Sequence, residues 1–232
     1  RDSTKKLVVS EVNSNVLTKE DYIISNPNCS TMQMLVVLAP LHEKYKIKRL
    51  VISTYQSVSG TGKNAIDQLR EERKGQTNSK VYPYSIDQNL LPHCDVFEKG
   101  GYTKEENKLV NETRKILNDD SIKITSTAVR VPIELCHGES VNIEFENKFE
   151  IDTIFKILEN TQGLIVEDDP EQNKYPMPIN SSNKDEVFVG RIRRDFSINN
   201  GLNLWIVADN LRKGAATNTI QIAEKLIEMK IV

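Results

Sequence analysis

Apolar positions first recur at helical spacing just after residue 29, where Met32, Leu35, Val36, Leu38 and Ala39 share a face. A branched, strand-forming run follows, Lys48-Arg49-Leu50-Val51-Ile52-Ser53-Thr54-Tyr55, and delivers Gln56 at its end. Ser59-Gly60-Thr61-Gly62 reads as a turn, and Lys63 to Lys74 as a charged helix with Ile66 and Leu69 inward. Residues 75–101 are polar, carry Pro83, Pro92 and Gly100-Gly101, and predict an irregular excursion. Thr103 is a good cap for a helix from Lys104 to Leu117, with Glu105 and Glu106 in its first turn and Arg114 and Lys115 near its end.

Beyond it, Ile122 to Thr127 and Val129 to Ile133 read as two extended segments. Glu139 to Phe145 alternates as a strand, Val141, Ile143 and Phe145 against Asn142 and Glu144. Asp152 is the expected cap of a helix running to Asn160 and ended by Gly163. Val187 to Arg193 and Leu202 to Val207 predict two strands joined by an Asn199-Asn200-Gly201 hairpin turn, and a last helix spans about Gly214 to Met229. Strands and helices mix without a βαβ period, which predicts an α+β fold with a mixed, largely antiparallel sheet covered by helices.

At 232 residues and 38% hydrophobic content the chain can bury a core as one domain with a subsidiary lobe. A formal net charge of −2 gives no electrostatic case for nucleic acid or a membrane surface, so a charged substrate must be held by a local cluster. Three cysteines without disulfide-scaffold spacing predict free thiols in a reducing compartment. With no charged-then-apolar leader and no run near the roughly 18 apolar residues of a membrane span, a cytoplasmic protein is expected. No Cys/His/Asp cluster has metal-ligand spacing.

The chemistry centres on Ser25-Asn26-Pro27-Asn28-Cys29-Ser30-Thr31. Pro27 holds Asn26 extended, so Cys29 falls at a helix N-terminus, where unpaired N–H groups and the macrodipole favour thiolate. A depressed thiol pKa is therefore expected, against the commoner fate of a lone cysteine, buried and inert.

Five segments in order, SNPNCST at 25–31, STYQSVSGTG at 53–62, YTKEENK at 102–108, STAVRVPIELCHGES at 126–140 and WIVADNLRKGAA at 205–216, make the chain resemble the catalytic and dimerisation half of the aspartate-β-semialdehyde dehydrogenase family. Asn28 and Ser30-Thr31 side with that family rather than with the SNPGCY of N-acetylglutamyl-phosphate reductases or the SNASCTT of glyceraldehyde-phosphate dehydrogenases. The resemblance implies a fold like the C-terminal domain of glyceraldehyde-phosphate dehydrogenase. It implies NADP-dependent reductive dephosphorylation of L-aspartyl-4-phosphate to the semialdehyde through a Cys29 thioester, on the route to lysine, methionine, threonine and diaminopimelate.

By the same resemblance His137 takes the thiol proton and shuttles protons, a task suited to imidazole, and Arg130 grips the substrate carboxylate with its planar fork. Glu105 meets the substrate ammonium, with Glu106 left open as the alternative, and Lys108 meets phosphate; an i, i+3 surface ion pair is the plainer meaning of that spacing. Asn28 and Gln56 contact substrate. Ser59, Gly60 and Asn210 lie by the nicotinamide, although Asp209 or Asn210 would serve equally as a helix cap. Gly138 replaces a Ser common in the family, with Cys136 beside it a buried bystander.

The family's glycine-rich dinucleotide fingerprint is missing from this sequence. Residues 1–28 are accordingly read as a remnant of the NADP-binding domain plus the catalytic loop, 29–208 as the catalytic and dimerisation domain, and 209–232 as a helix that packs back on the NADP-binding domain. A homodimer or dimer of dimers is implied, with aspartyl phosphate and phosphate as small-molecule partners. The alternatives are an inactive dimerisation module and a related reductase such as N-acetylglutamyl-phosphate reductase. The 232-residue chain alone is expected to bind NADP no more tightly than millimolar and not to turn over.

Overall fold

A computed structural model describes residues 4–231 other than 77 and 79, so residues 1–3 of the expected remnant and Val232 of the C-terminal segment lie outside it. In chain order the regular elements are β1 (Lys6–Leu7), α1 (Ser10–Asn13), β2 (Ile24–Ser25), α2 (Cys29–Tyr45), β3 (Ile47–Gln56), α3 (Lys63–Glu72), α4 (Lys104–Leu117), β4 (Lys123–Arg130), β5 (His137–Phe145), α5 (Ile151–Glu159), β6 (Leu164–Val166), α6 (Pro178–Ser181), β7 (Val187–Asp195), β8 (Gly201–Ala208) and α7 (Thr217–Glu228). A π-helical turn, Arg212–Ala216, precedes α7.

The main sheet has six strands in the order β4-β3-β5-β8-β7-β6. β3/β5, β5/β8 and β7/β8 are antiparallel, while β3/β4 and β6/β7 are parallel. The mixed, largely antiparallel sheet expected from the sequence is thus present. The β3–β4 crossover spans α3, the irregular excursion and α4, too long to show as a periodic βαβ pattern.

One sheet face is covered by helices. α2 runs across it, burying Met32, Leu35, Val36 and Leu38 against Leu50, Ile52, Val141, Ile143, Leu204 and Ile206. Leu109 and Ile116 of α4 and Ile154 and Leu158 of α5 close its flanks. A helix surrounded in this way has little need of a polar face, which is why only its C-terminal turn carries charged side chains. At roughly 1.5–3 kcal/mol for each fully buried large aliphatic side chain, this face is the principal source of stability.

Register places the functional residues. Arg130 pairs with Gln56, Gln56 with His137, and His137 with Ala208, so one row across β4, β3, β5 and β8 points toward the start of α2. The next row inward is Ala128, Thr54, Glu139 and Ile206. All eight side chains are buried. On the other face Trp205 covers Gly138, where an added Cβ would lie 2.5 Å from the indole ring. Indole packing, more than flexibility, accounts for glycine here.

Several boundaries differ from expectation. Residues 123–130 form one strand rather than the first part of two. Glu150, not Asp152, is the N-cap residue of α5. The β7/β8 pair carries a register shift between Gly190 and Arg193, with Arg191 in the left-handed region at φ 53°, a bulge that no local signal announces. α7 starts three residues later than expected, because the π-helical turn takes up Gly214-Ala215-Ala216.

The chain ends meet beside this body. Val8, Leu17 and Ile222 form a small cluster. Asn218 accepts from the Ser10 N–H at 3.0 Å and donates to Val8 O at 2.9 Å and to Asn26 Oδ1 at 2.6 Å. Lys213, 1% exposed, pairs with Glu11.

Candidate active site

Asn28 caps α2, its Oδ1 accepting from the N–H groups of Ser30 at 3.0 Å and Thr31 at 3.2 Å. Cys29 is therefore the first helical residue, as the motif predicts. Glu112, which the sequence did not single out, receives the Asn28 N–H at 2.6 Å and pins the loop. Gly214 leans on the cysteine from the π-helical turn; a Cβ there would sit 2.8 Å from Cys29 Cβ.

The helix terminus does not leave Cys29 as a resting thiolate. Burial pushes its pKa up to about 12, with the Glu105 carboxylate adding to the rise, and the Ser30 N–H and Arg130 do not offset them. Expectation fails here because the macrodipole acts over one turn on a modest scale, whereas desolvation and a nearby carboxylate act directly on the sulfur. Cys94 and Cys136 are likewise raised to about 12 by burial. All three are free thiols, and Cys29 alone is partly exposed.

Glu105 joins the cluster and Glu106 does not. Glu105 Oε1 accepts from Asn28 Nδ2 at 2.8 Å and Gln56 Nε2 at 3.1 Å, and its Oε2 faces Lys108 Nζ at 3.3 Å. Glu106 instead completes a capping box with Thr103 and receives the Ala128 N–H at 2.9 Å, which occupies both of its oxygens. Lys108 also reaches Asp95 at 2.8 Å; burial alone would lower its pKa, but these two carboxylates carry it above the usual lysine range.

His137 is fully buried at the start of β5. The Ser57 N–H donates to its Nδ1 at 3.1 Å, so in the neutral ring the proton is on Nε2, and that atom has no partner among the described residues. Burial lowers its pKa to about 3, with the Arg130 charge adding to the effect. The ring thus presents a donor at Nε2 and binds a second proton weakly, which is at odds with the expected uptake of the thiol proton. Arg130 lies alongside. Its Nη1 donates to Ser57 O at 2.6 Å and its buried Nε lacks a partner among the described residues. A methyl group on Gly60 would lie 3.0 Å from Arg130 Nη1 and 3.2 Å from His137 Nε2, so the bare glycine keeps the space before both donors open.

Ser57 is the residue that sequence reasoning missed. Its N–H orients His137, its carbonyl holds Arg130, and its hydroxyl donates to Asn210 Oδ1 at 3.1 Å. Asn210 Oδ1 also takes the N–H of Cys136 at 3.0 Å, and Asn210 Nδ2 donates to Ser59 Oγ at 3.0 Å. The Asn210 amide is thus engaged by protein, and neither it nor Asp209 is a helix cap: the Asp209 carboxylate receives the N–H groups of Leu211 and Arg212 ahead of the π-helical turn, whose N-cap position is Leu211. No group of three or more His, Cys, Asp or Glu suited to a metal occurs among the described residues.

A cysteine at a helix N-terminus, faced by a row of arginine, glutamine and histidine on a mixed sheet, defines the class, and the semialdehyde dehydrogenase dimerisation-domain family matches residues 38–213. The chain belongs to the aspartate-semialdehyde dehydrogenase family: it is 48% identical to that enzyme of Aquifex aeolicus, covering all of this chain and 70% of the relative, and 50% identical to that of Legionella pneumophila, covering 94% and 64%. The crystal structure of aspartate semialdehyde dehydrogenase II from Vibrio cholerae, complexed with ASA, superposes with a TM-score of 0.92 at 42% identity over 98% of this chain and 69% of that one. The Candida albicans enzyme with NADP gives 0.75 at 25% identity, over 100% and 69%. Among the described residues no helix is long and apolar enough to cross a membrane.

Proposed function

We propose that this chain supplies the catalytic and dimerisation half of an enzyme that reductively dephosphorylates L-aspartyl-4-phosphate to aspartate semialdehyde with NADPH. The observation that carries the reading is the row Arg130–Gln56–His137 facing Cys29 at the capped start of α2, with Glu105 bonded to Asn28 and Gln56 beside it. Arg130 holds the α-carboxylate and Glu105 the ammonium. Engaging that ammonium offsets the negative charge that raises the thiol, so substrate itself favours ionisation of Cys29. Sulfur then attacks the acyl carbon, a thioester forms, phosphate departs toward Lys108, and the thiol proton ends on the departing phosphate.

His137 Nε2–H donates to the acyl oxygen as negative charge gathers there, a preorganised donor of the oxyanion-hole kind. NADPH, when bound, supplies hydride to the thioester carbon. Gly60 fits the nicotinamide end, because its missing side chain leaves the space before Arg130 and His137 clear. Ser59 and Asn210 support that turn from behind. Return of the oxygen's charge re-forms the carbonyl and expels the Cys29 sulfur.

The pyrophosphate and adenosine of NADP need a glycine-rich turn that this sequence does not offer. The 232 residues alone are therefore inactive in this reading, binding NADP no more tightly than about millimolar, roughly −4 kcal/mol. The exposed Ile220 and Ile227 of α7 and Met229 just after it pack on the NADP-binding half, and the chain forms homodimers in the cytoplasm. The test joins the chain to such a half and compares NADPH oxidation by aspartyl phosphate and N-acetylglutamyl phosphate. Preference for the former supports the reading; turnover of the latter alone identifies the related reductase.

A further inference from the structure

Glu139 is a carboxyl group that the chemistry above leaves unused. It lies on the covered face of β5 one row inward from His137, opposite Thr54 and Ile206, and is fully buried. Both of its oxygens lack a hydrogen-bond partner among the described residues. An ionised carboxylate so placed would be among the costliest groups in the molecule.

Its surroundings supply the missing half of the pattern. Ser30 and Gln33 stand one turn apart on the face of α2 toward the sheet. Gln33 Nε2 donates to the carbonyl of His137 at 3.2 Å, which brings the glutamine over β5, yet Gln33 Oε1 is a buried acceptor with no donor among the described residues. Ser30 Oγ accepts from Gln56 Nε2 at 3.2 Å, which leaves its own hydrogen free, and the Ser30 side chain lies near Glu139 without completing a hydrogen bond to it. The neighbourhood thus holds one free hydroxyl hydrogen, one orphan amide oxygen and a carboxyl group.

A neutral carboxylic acid would match all three: its carbonyl oxygen can accept from Ser30 and its O–H can donate to Gln33 Oε1. The charged and titratable groups around it are Cys29 at the start of α2, Glu105 from α4, His137 two residues before it on β5, and Arg130 in the neighbouring row; β8 contributes only Ile206 and Ala208. Burial raises the carboxyl well above the ordinary glutamate range, with nearby Glu105 adding to the rise.

We propose that Glu139 is a positioning residue, carried as an uncharged acid that bridges Ser30 and Gln33 and so fixes the first turn of α2, and with it Cys29 and the Gln56 amide, against β5. The inference rests on the active-site reading only in what that turn is for. The bridge itself is tested without turnover.

The experiment compares the chain with Glu139→Gln and Glu139→Leu. Glutamine offers one acceptor and one donor, so it reproduces the neutral acid, whereas leucine offers neither. Infrared difference spectra of parent minus Glu139→Gln in heavy water should show a protonated-carboxyl carbonyl stretch at pH 7. Alkylation of Cys29 by iodoacetamide, followed by peptide mapping across pH 7 to 10, should keep its pH profile within about twofold in Glu139→Gln and shift in rate at least about threefold in Glu139→Leu. If Glu139 is instead ionised, the infrared band is missing and Glu139→Gln moves the Cys29 titration down by about a unit or more, because a negative charge has been removed. Either of those results overturns the proposal. Should Glu139→Leu fail to fold, the infrared band and the Glu139→Gln profile still decide.

Discussion

The main-chain N–H of Ser57 donates to His137 Nδ1 at 3.1 Å, so a residue outside the row of functional side chains sets the tautomer of the imidazole. The consequence is a ring that carries its proton on Nε2 and resists a second one. Nitrogen NMR of histidine-labelled protein should show the Nε2–H tautomer of His137 and no titration between pH 8 and about pH 4, since burial holds the ring pKa near about 3. The unfolded chain binds that proton near 6.5, so this residue's contribution to stability is whole above 6.5 and is lost as pH falls toward about 3. The slope is ~1.4 kcal/mol per pH unit for the single group. A His137 midpoint between pH 6 and 7 would contradict the assignment.

Glu105 is the carboxylate that opposes ionisation of Cys29. Glu105→Gln keeps an oxygen for Asn28 and Gln56 but removes the charge, so the thiolate should appear at lower pH than in the parent, by about one unit. Ultraviolet thiolate absorbance against pH, with Cys94→Ser and Cys136→Ser in both proteins, reads it directly. An unchanged or higher midpoint would break the link between the two residues.

These relationships divide by how local their causes are. The start of α2 at Cys29, the Thr103 cap and helix α4 are written within a few residues, and the sequence predicts them correctly. Ser57, Glu112 and Glu139 were not legible as site residues, because each owes its meaning to a distant element: Ser57 to a ring 80 positions away, and Glu112 to a backbone N–H 84 positions away. The raised Cys29 thiol belongs with them, since burial is a property of the packed whole. The parallel pairing of β3 with β4 was hidden in the same way, behind a long crossover.

Arg130 offers its planar fork where a carboxylate would dock, one arm already braced on Ser57 O at 2.6 Å. Arg130→Lys preserves charge without that geometry. In the protein joined to a dinucleotide-binding half it should lower kcat/KM by about one to three orders of magnitude, or roughly 1.4–4 kcal/mol. Steady-state kinetics with aspartate semialdehyde checks this, and an effect below about threefold would remove Arg130 from substrate recognition.

Gly214 is fixed by contact with the nucleophile. Gly214→Ala would set a methyl group 2.8 Å from Cys29 Cβ, closer than the packing admits, so the π-helical turn or the loop of Cys29 must move. Denaturant unfolding should show a loss of about 1–3 kcal/mol. A neutral or stabilising outcome would mean that the turn yields freely and does not brace the cysteine.

Acyl transfer to Cys29 tests the central claim most directly, because in the proposed reaction that half draws only on residues of this chain. L-Aspartyl-4-phosphate is added to the protein, released phosphate is counted, and the acylated residue is located by mass spectrometry. The account predicts one aspartyl group on Cys29 for each phosphate released in a burst, with neither in Cys29→Ala. Phosphate release at the background hydrolysis rate, or an acyl group on Cys94 or Cys136 instead, would contradict it.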